Sequence, residues 1–509
     1  SIIIGSNDKL PAVISEIIEA NASNRDHAIV LLTAHDPVEV SDQVRAWVGD
    51  LQTSRLVVRS GSPTRLADVS LINPAQAKSV IVLLPEDGSD AEVVKTVLAV
   101  NRAIPAHSAT PIVAELSDAS VGEALRAAVG ERVLTVLSPD VIARIGAQVA
   151  RSPGLGVVYQ ELLDFEGDEL YSTAVTPAWI GRAYGEALLS SSTGTIVGVR
   201  FADGRTLLNP EPETLLADGD KLIAIAEDDS VFTLDRAPES WQRIGEHAVA
   251  AARAQERTLI IGWSDLGPRI AREIDGHVAS GSAIHVLAGL DDDVTREMID
   301  SLGLTRTSVS MESGDPIRLA DIASALERGP FEHVLLLSER DSFAAEEADA
   351  RTMLALLQLR RCLAGAQTSP SIVAELLDPH ATELIGDDER HDFIGLLLAQ
   401  LSESPHLAPV LDDLFGAVGT VGAAVEMHPV TRYLAPGEHS FEHVIRVCRE
   451  FGVTAIGYRS GSAVGLAGSL AGGIRLNPPK GATLRLGDKD VIVVLTGEPG
   501  RLSSQGATR

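Results

Sequence analysis

Gly262, Ser264 and Gly267 stand between an apolar, β-branched run (residues 259–261) and a helical pattern, and Asp291 follows farther on. That order is the strand–turn–helix of a dinucleotide site. Glycines there let the backbone turn tightly and approach a pyrophosphate, and an acid at the end of the next strand takes a ribose. Ser264 keeps a Cβ where glycine permits the closest approach, so the turn reads either as a ligand seat or as scaffold. Gly262, Ser264, Gly267 and Asp291 are the candidate cofactor residues. A turn of the same form opens the chain, with Gly5, then Asn7 and Leu10 at the positions that want glycine, and Asp36 as its acid.

Asp291, Asp292 and Asp293 form the densest acidic run and are the candidate metal ligands. Calcium wants several oxygens at about 2.3–2.6 Å. Three consecutive carboxylates on an extended segment cannot all face one ion, although a loop brings two together. The alternative is a solvated strand end or helix N-terminus, where acids are favoured for dipole reasons. Residues 387–389 and 412–413 repeat the theme more weakly. Residues 60–68 (SGSPTRLAD) and 313–321 (SGDPIRLAD) invite a phosphate-loop reading but lack Gly-Lys-Ser/Thr, so an Arg–Asp pair or a cap serving the fold competes with it. Pro63 and Pro316 are expected in a helix's first turn. His439 and His443, spaced i and i+4, are expected on one helical face, without an HExxH pattern. No Ser-His-Asp set or nucleophile elbow is evident.

The elements that would position these residues come in two copies. Short apolar strands alternate with amphipathic helices from residue 2 to about 138, the pattern of a parallel, doubly wound sheet. The programme restarts at residue 258. Residues 111–118 and 371–378 share Ile-Val-Ala-Glu-Leu-x-Asp, and residues 207–226 and 474–495 share Leu-Asn-Pro and Gly-Asp. Matches spread along the whole length establish a duplication. A helix at 140–151 follows a completed sheet and has no core of its own to cover. It serves either as ordinary core or as a contact with a neighbouring module. The expected divisions are 1–138 and 258–390 for the doubly wound lobes, and 139–156 and 391–416 for connecting helices. Residues 157–229 and 417–509 are small β-rich lobes, and 230–257 is a linker.

Composition narrows the class. A length of 509 residues requires several cores. Aromatics are only 4%, so those cores are built from Val, Ile, Leu and Ala. A net charge of −29 argues against nucleic acid as a partner, because phosphate binding wants a basic face. The acid excess is either solvated surface or an attraction for cations. Cys362 and Cys448 fit no metal spacing and are expected as buried thiols in helices. No run of about 18 apolar residues offers a membrane span. The chain opens inside a strand pattern without an initial Met, which is read as the loss of an upstream part.

Five phrases carry a resemblance: Leu259-Ile-Ile-Gly-Trp-Ser264, Val410-Leu-Asp-Asp-Leu-Phe415, Ser440-Phe-Glu-His-Val444, Ala455-Ile-Gly-Tyr-Arg459 and Leu476-Asn-Pro478. With the lobe–helix–lobe order, the chain resembles the RCK (regulator of K⁺ conductance) modules of potassium channels and Trk-type transporters. It is most similar to the tandem RCK region of the CASTOR/POLLUX cation channels. The resemblance implies an α/β fold of two tandem RCK-like modules, each a Rossmann-like doubly wound parallel sheet with a connecting helix and a small β-rich lobe. It implies no enzyme but a ligand-sensing gating ring, a homo-oligomer (a tetramer) at the cytoplasmic face of a membrane. A pore domain would lie N-terminal in the same chain. It links calcium to the ring, with NAD(H) the lesser cofactor expectation, and favours interfacial connecting helices. A stand-alone Trk-type regulatory subunit and an NAD-dependent oxidoreductase are the alternatives. Against the oxidoreductase stand the missing fingerprint glycines and the lack of a proton donor.

Overall fold

The computed structural model describes residues 1–24, 26–85, 88–152, 154–165, 167–227, 232–236, 241, 255–289, 299, 301–364, 370–378, 393–415, 422–461 and 470–497. Apolar runs form β1 (Ile2–Ile4), β2 (Ala28–Thr33), β3 (Arg55–Ser60), β4 (Val80–Val82), β5 (Ile112–Leu116) and β6 (Val133–Leu137). They make one parallel sheet in the order β3-β2-β1-β4-β5-β6. Connecting them are α1 (Leu10–Ala20), α2 (Pro37–Val48), α3 (Leu66–Leu71), α4 (Asp90–Ala103) and α5 (Ala119–Val129). The two-residue period of the strands sorts the core. Ile3, Ile81 and Val113 meet α1, whereas Ile2, Ile4, Val80 and Val82 meet α3 and α4.

β6 passes without a linker into α6 (Ser138–Arg151), followed by α7 (Leu155–Leu163). The expected β lobe from residue 157 therefore starts later. Leu155, Val158, Tyr159 and Leu162 are buried at i, i+3, i+4 and i+7, a helical period. Then come β7 (Glu169–Ala174), the short α8 (Tyr184–Ala187), β8 (Gly194–Arg200), β9 (Thr206–Leu208) and β10 (Lys221–Ala226), antiparallel in the order β7-β10-β8-β9.

The second copy repeats the plan. β11 (Arg257–Ile261), α9 (Gly267–His277), β12 (Ser282–Ala288), β13 (Thr307–Ser313), α10 (Leu319–Leu326), β14 (His333–Leu336), α11 (Ala345–Leu363) and β15 (Ser371–Ala374) give a parallel sheet ordered β13-β12-β11-β14-β15. Next are α12 (Phe393–Glu403) and α13 (Ala408–Phe415). The second small lobe has β16 (Ala424–Pro429), β17 (Gly437–Ser440), α14 (Phe441–Glu450), β18 (Thr454–Arg459), β19 (Ile474–Leu476), β20 (Thr483–Leu486) and β21 (Val491–Thr496). Its main sheet runs β16-β21-β18-β19, with β17 and β20 paired separately. Among the described residues no helix is long and apolar enough to cross a membrane.

The connecting helices are exchanged. Ala143, Ala147 and Ala150 of α6 sit in the core of the second sheet, with Ile260, Ile270 and Leu335. Their small side chains let α9 approach. Ile394, Leu397, Leu398 and Leu401 of α12 sit in the core of the first sheet, with Ile3, Ile14 and Val113. α12 is buried nearly all round, as a helix apolar on every side must be. Each such Leu or Ile contributes about 1.5–3 kcal/mol of burial. The choice between ordinary core and module contact is thus decided for contact.

The small lobes also meet pairwise. Val199, Leu222 and Ala224 share one core with Val444, Ile445 and Val494. Asn209 and Asn477 of the two Leu-Asn-Pro phrases adopt left-handed backbones, φ 49° and 40°. Each reaches into the other lobe. The Asn209 amide donates to the Gly452 carbonyl at 2.8 Å and accepts from the Thr454 hydroxyl at 2.8 Å. The Asn477 amide donates to the Thr193 carbonyl at 3.0 Å and accepts from Thr195 at 2.9 Å. The repeated phrase is an interface device with local two-fold character.

Three expectations need correction. Pro63 and Pro316 precede their helices, which start at Leu66 and Leu319. His439 lies on a strand and His443 on the following helix, because Ser440 caps α14 by accepting from the His443 N–H at 3.2 Å. Cys448 is buried, but Cys362 is only partly so.

Candidate functional site

The turn after β11 holds the sequence candidates. Gly262 has φ +85°, and a Cβ there would lie 2.3 Å from the Leu337 carbonyl. Glycine is therefore needed for the close approach of β11 and β14. Gly267 opens α9, and its missing side chain leaves room for the Trp263 indole, which a Cβ would meet at 2.5 Å. Ser264 is 4% exposed, and its hydroxyl has no hydrogen-bond partner among the described residues. The fourth candidate, Asp291, lies outside the described residues, as do Asp292, Asp293 and the run 387–389. Gly262, Ser264 and Gly267 are brought together; the metal expectation falls where no geometry is described. Among the described residues no three His, Cys, Asp or Glu side chains converge as metal ligands.

The turn's own charges are largely paired. The Asp265 N–H, in the turn itself, donates to the Asp341 carboxylate at 2.8 Å. Arg340 bridges Asp265 (3.1 Å) and Glu375 (3.4 Å). Arg351 bridges Glu339 (2.7 Å) and Asp315 (3.1 Å). Burial pushes the Glu375 carboxyl above the usual range, against the pull of Arg340. Four carboxylates thus pair with two guanidiniums, and a fifth, Asp341, holds the turn's N–H. A pyrophosphate entering here must displace Asp341 and face the remaining acids.

The first turn is closed differently. Gly5 has φ +101°, and Asn7 fills the turn, donating from its amide to Glu115 and to the Leu84 carbonyl, each at 2.9 Å. Asp36 is committed as the N-cap of α2, accepting from the Val38 N–H at 2.8 Å.

Three pairs of acids, one member in each copy, hold the frame. Glu115 and Glu375, from the shared Ile-Val-Ala-Glu phrase, accept the backbone N–H of Leu84 and Ser338, each at 3.0 Å. Asp90 and Asp349 cap the chain after β5 and β15, accepting from Asp118 N–H and Asp378 N–H at 2.8 Å. Asp68 and Asp321, ending the repeated Ser-Gly loops, accept the N–H of Ser62 and Asp315 at 2.9 Å. Those loops therefore serve the fold, as one of the two readings expected. Recurrence of the phrases that hold them was the signal for Glu115 and Glu375 and for Asp68 and Asp321.

One asymmetry stands out between the copies. The buried Glu273 of α9 accepts from Arg144 Nε of α6 at 3.2 Å and from the Gln148 amide at 3.3 Å. Aligning Pro268 with Pro11 makes Glu16 of α1 its counterpart, and aligning residues 142–153 with 394–405 makes Leu396 the counterpart of Arg144. Glu16 thus lacks the guanidinium that Glu273 has. Burial, then Asp164 nearby, pushes its carboxyl up to about 8, although the Phe165 N–H donates to it at 3.2 Å. Beside it opens a cleft of about 840 Å³, lined by Glu16, Asp8, Glu39, Asp164, Asp378 and Leu396 among others.

Residues 139–240 match a family model described as "Castor and Pollux, part of voltage-gated ion channel". The chain is 28% identical to the probable ion channel CASTOR of Oryza sativa subsp. japonica, over 97% of this chain and 59% of that protein. It is 27% identical to the ion channel CASTOR of Lotus japonicus (97% and 62%) and 25% identical to the probable ion channel POLLUX of Arabidopsis thaliana (90% and 60%). It therefore spans less than two thirds of the length of these relatives. Two solved structures are more distantly similar. A GsuK channel bound to NAD is 18% identical, with TM-score 0.34, covering 98% of this chain and 76% of that one. The GsuK RCK domain is 16% identical, with TM-score 0.33, covering 98% and 92%. Along nearly its whole length, then, the chain is similar to the CASTOR/POLLUX ion channels, and it folds as two tandem modules, each a Rossmann-like parallel sheet with connecting helices and a small β-rich lobe.

Proposed function

We propose that this chain is the ligand-sensing regulatory region of a CASTOR/POLLUX-like cation channel, coupling ligand binding to the opening of a pore carried by the same polypeptide. It works at the cytoplasmic face of a membrane, in a homo-oligomer built as a tetrameric ring. No bond is made or broken. A ligand that binds one arrangement of the modules better shifts the population towards it, and a ligand with equal affinity for both does nothing. The observation that carries this reading is the reciprocal exchange of α6 and α12, through which each sheet is completed by a helix of the other module. A displacement at either turn is thereby felt in both modules.

The ligand is calcium first, by family resemblance, with NAD(H) second. The chemistry of the turn supports that order: its N–H is occupied by Asp341, and acids outnumber the arginines around it. Asp291, Asp292 and Asp293, a few residues beyond β12, supply further oxygens for such an ion. Calorimetry of the purified chain with Ca²⁺, Mg²⁺, K⁺ and NADH in turn tests it. Saturable heat with Ca²⁺, lost in D291N/D292N/D293N, is the expected result. Binding of NADH with silence for all three cations refutes the assignment of the ligand.

A further inference from the structure

The two exchanged helices end in matching sequences, residues 147–153 (AQVARSP) and 399–405 (AQLSESP). Gln148 donates to Glu273 at 3.3 Å, and Gln400 donates to Glu169 at 3.4 Å. Three residues farther on, the charge is opposite: Arg151 in α6 and Glu403 in α12.

Each charge meets its complement at the N-terminal edge of the other module's sheet. Arg151 grips both carboxylate oxygens of Glu256, just before β11, at 2.8 and 2.9 Å. His333 at the start of β14 faces the same carboxylate at 3.2 Å. Glu403, 3% exposed, forms an ion pair with Lys78, just before β4. It also accepts from the Ser1 hydroxyl at 3.0 Å and the Asn21 amide at 3.1 Å. The edges are thus an acid in the second module and a base in the first. Two similar modules on one chain create a pairing problem, because a module's helix could also dock on the same module of a second copy. That arrangement would set the largely buried Arg151 against the exposed Lys78, or the buried Glu403 against the largely buried Glu256, and like charges so placed repel.

We infer that this reversal of charge selects partners: each module accepts the connecting helix of the other module and rejects that of a second copy of itself.

The test uses the full chain and two variants that keep its net charge, R151E/E403R and R151E/E403R/K78E/E256R. Pairing is read with a short bismaleimide cross-linker on a C362A background. Cysteines at 140 and 269 report docking on the other module, because Asp140 and Arg269 form an ion pair between α6 and α9. Cysteines at 140 and 12 report docking on a second copy, since Ala12 is the counterpart of Arg269. The parent chain is expected to give the 140–269 link within one chain. R151E/E403R is expected to shift the ratio of links at least about tenfold towards 140–12 links between chains. The fourfold variant is expected to restore the parental pattern. The proposal is overturned if R151E/E403R links like the parent, if it loses the 140–269 link without gaining the other, or if the fourfold variant fails to restore the parental pattern.

Discussion

Replacing Leu396 with arginine supplies Glu16 with the partner that Arg144 gives Glu273 in the other half of the molecule. In the native chain the Glu16 carboxyl is raised, through burial and then Asp164, from the ordinary 4.5 to about 8. The folded state binds this proton more tightly than the unfolded state, so stability falls as pH climbs from 4.5 to 8. At ~1.4 kcal/mol for each pH unit, the full penalty above pH 8 is at most about 5 kcal/mol. An arginine placed as Arg144 is, about 3 Å from the acid, would cancel much of that. Losing the buried leucine side chain costs about 2 kcal/mol at every pH. Leu396→Arg should therefore destabilise the protein by about 2 kcal/mol or more at pH 4, where Glu16 is neutral, and stabilise it by ~1–3 kcal/mol at pH 9. Urea unfolding across pH 4–9 measures this, with Glu16→Gln as a control that flattens the same dependence. A difference between Leu396→Arg and the parent that stays constant with pH refutes the reasoning, since nothing at position 396 would then be sensing the charge of Glu16.

Other consequences are equally direct. Leu398→Ala, in a helix of the second module, should cost about 2–5 kcal/mol and speed hydrogen exchange in β1, β4 and β5 of the first module; loosening confined to β11 and β14 would contradict the exchange of helices. Asn477→Ala puts an alanine at φ 40° and removes the links to Thr195 and Thr193, so thermal unfolding should show about 2–3 kcal/mol lost, and Asn477→Gly, which relieves only the strain, should recover a minor part. Asp341→Ala frees the Asp265 N–H, so any weak NADH affinity measured by fluorescence should rise; unchanged affinity would mean that this turn is not where the anion approaches. Lys480 is buried and its amine is pushed down to about 7, chiefly by burial. The penalty for its charge is full below pH 7 and fades towards 10.5, so Lys480→Met should abolish a rise of melting temperature with pH across that window.

Much of the frame could be read from the residues. The alternation of apolar strands and helices specified both parallel sheets, and the repeated phrases located the acids that hold their loops. The exchange of helices could not be read this way. Ala143, Ala147 and Ala150 declare a buried face but carry no address for the surface that buries it. α7 was hidden because Gly154 looks like a stop, whereas here its φ of +91° begins a helix. His439 and His443 have helical spacing, but the cap at Ser440 falls between them, and a Ser before Phe-Glu-His was the signal that could have shown it. The state of Glu16 was illegible for a different reason. It depends on comparing positions 144 and 396 across a packing that only three dimensions reveal. In the second turn Gly262, Ser264 and Gly267 are close as expected, but the carboxylate that occupies the turn comes from Asp341, 76 residues away.

The exchanged helices also bear on how this polypeptide is made. Asn21 meets Glu403 across 382 residues of chain. The part of the first sheet's face beside α1, around Val113, stays uncovered until α12 has been synthesised. Such distant contacts carry a high closure entropy and fold slowly. A nascent first module must wait with an apolar surface exposed, open to chaperones and to the equivalent surface of neighbouring nascent chains. The two modules are thus one cooperative unit despite their duplicated plan, and a cut between them should yield two aggregation-prone halves rather than two domains.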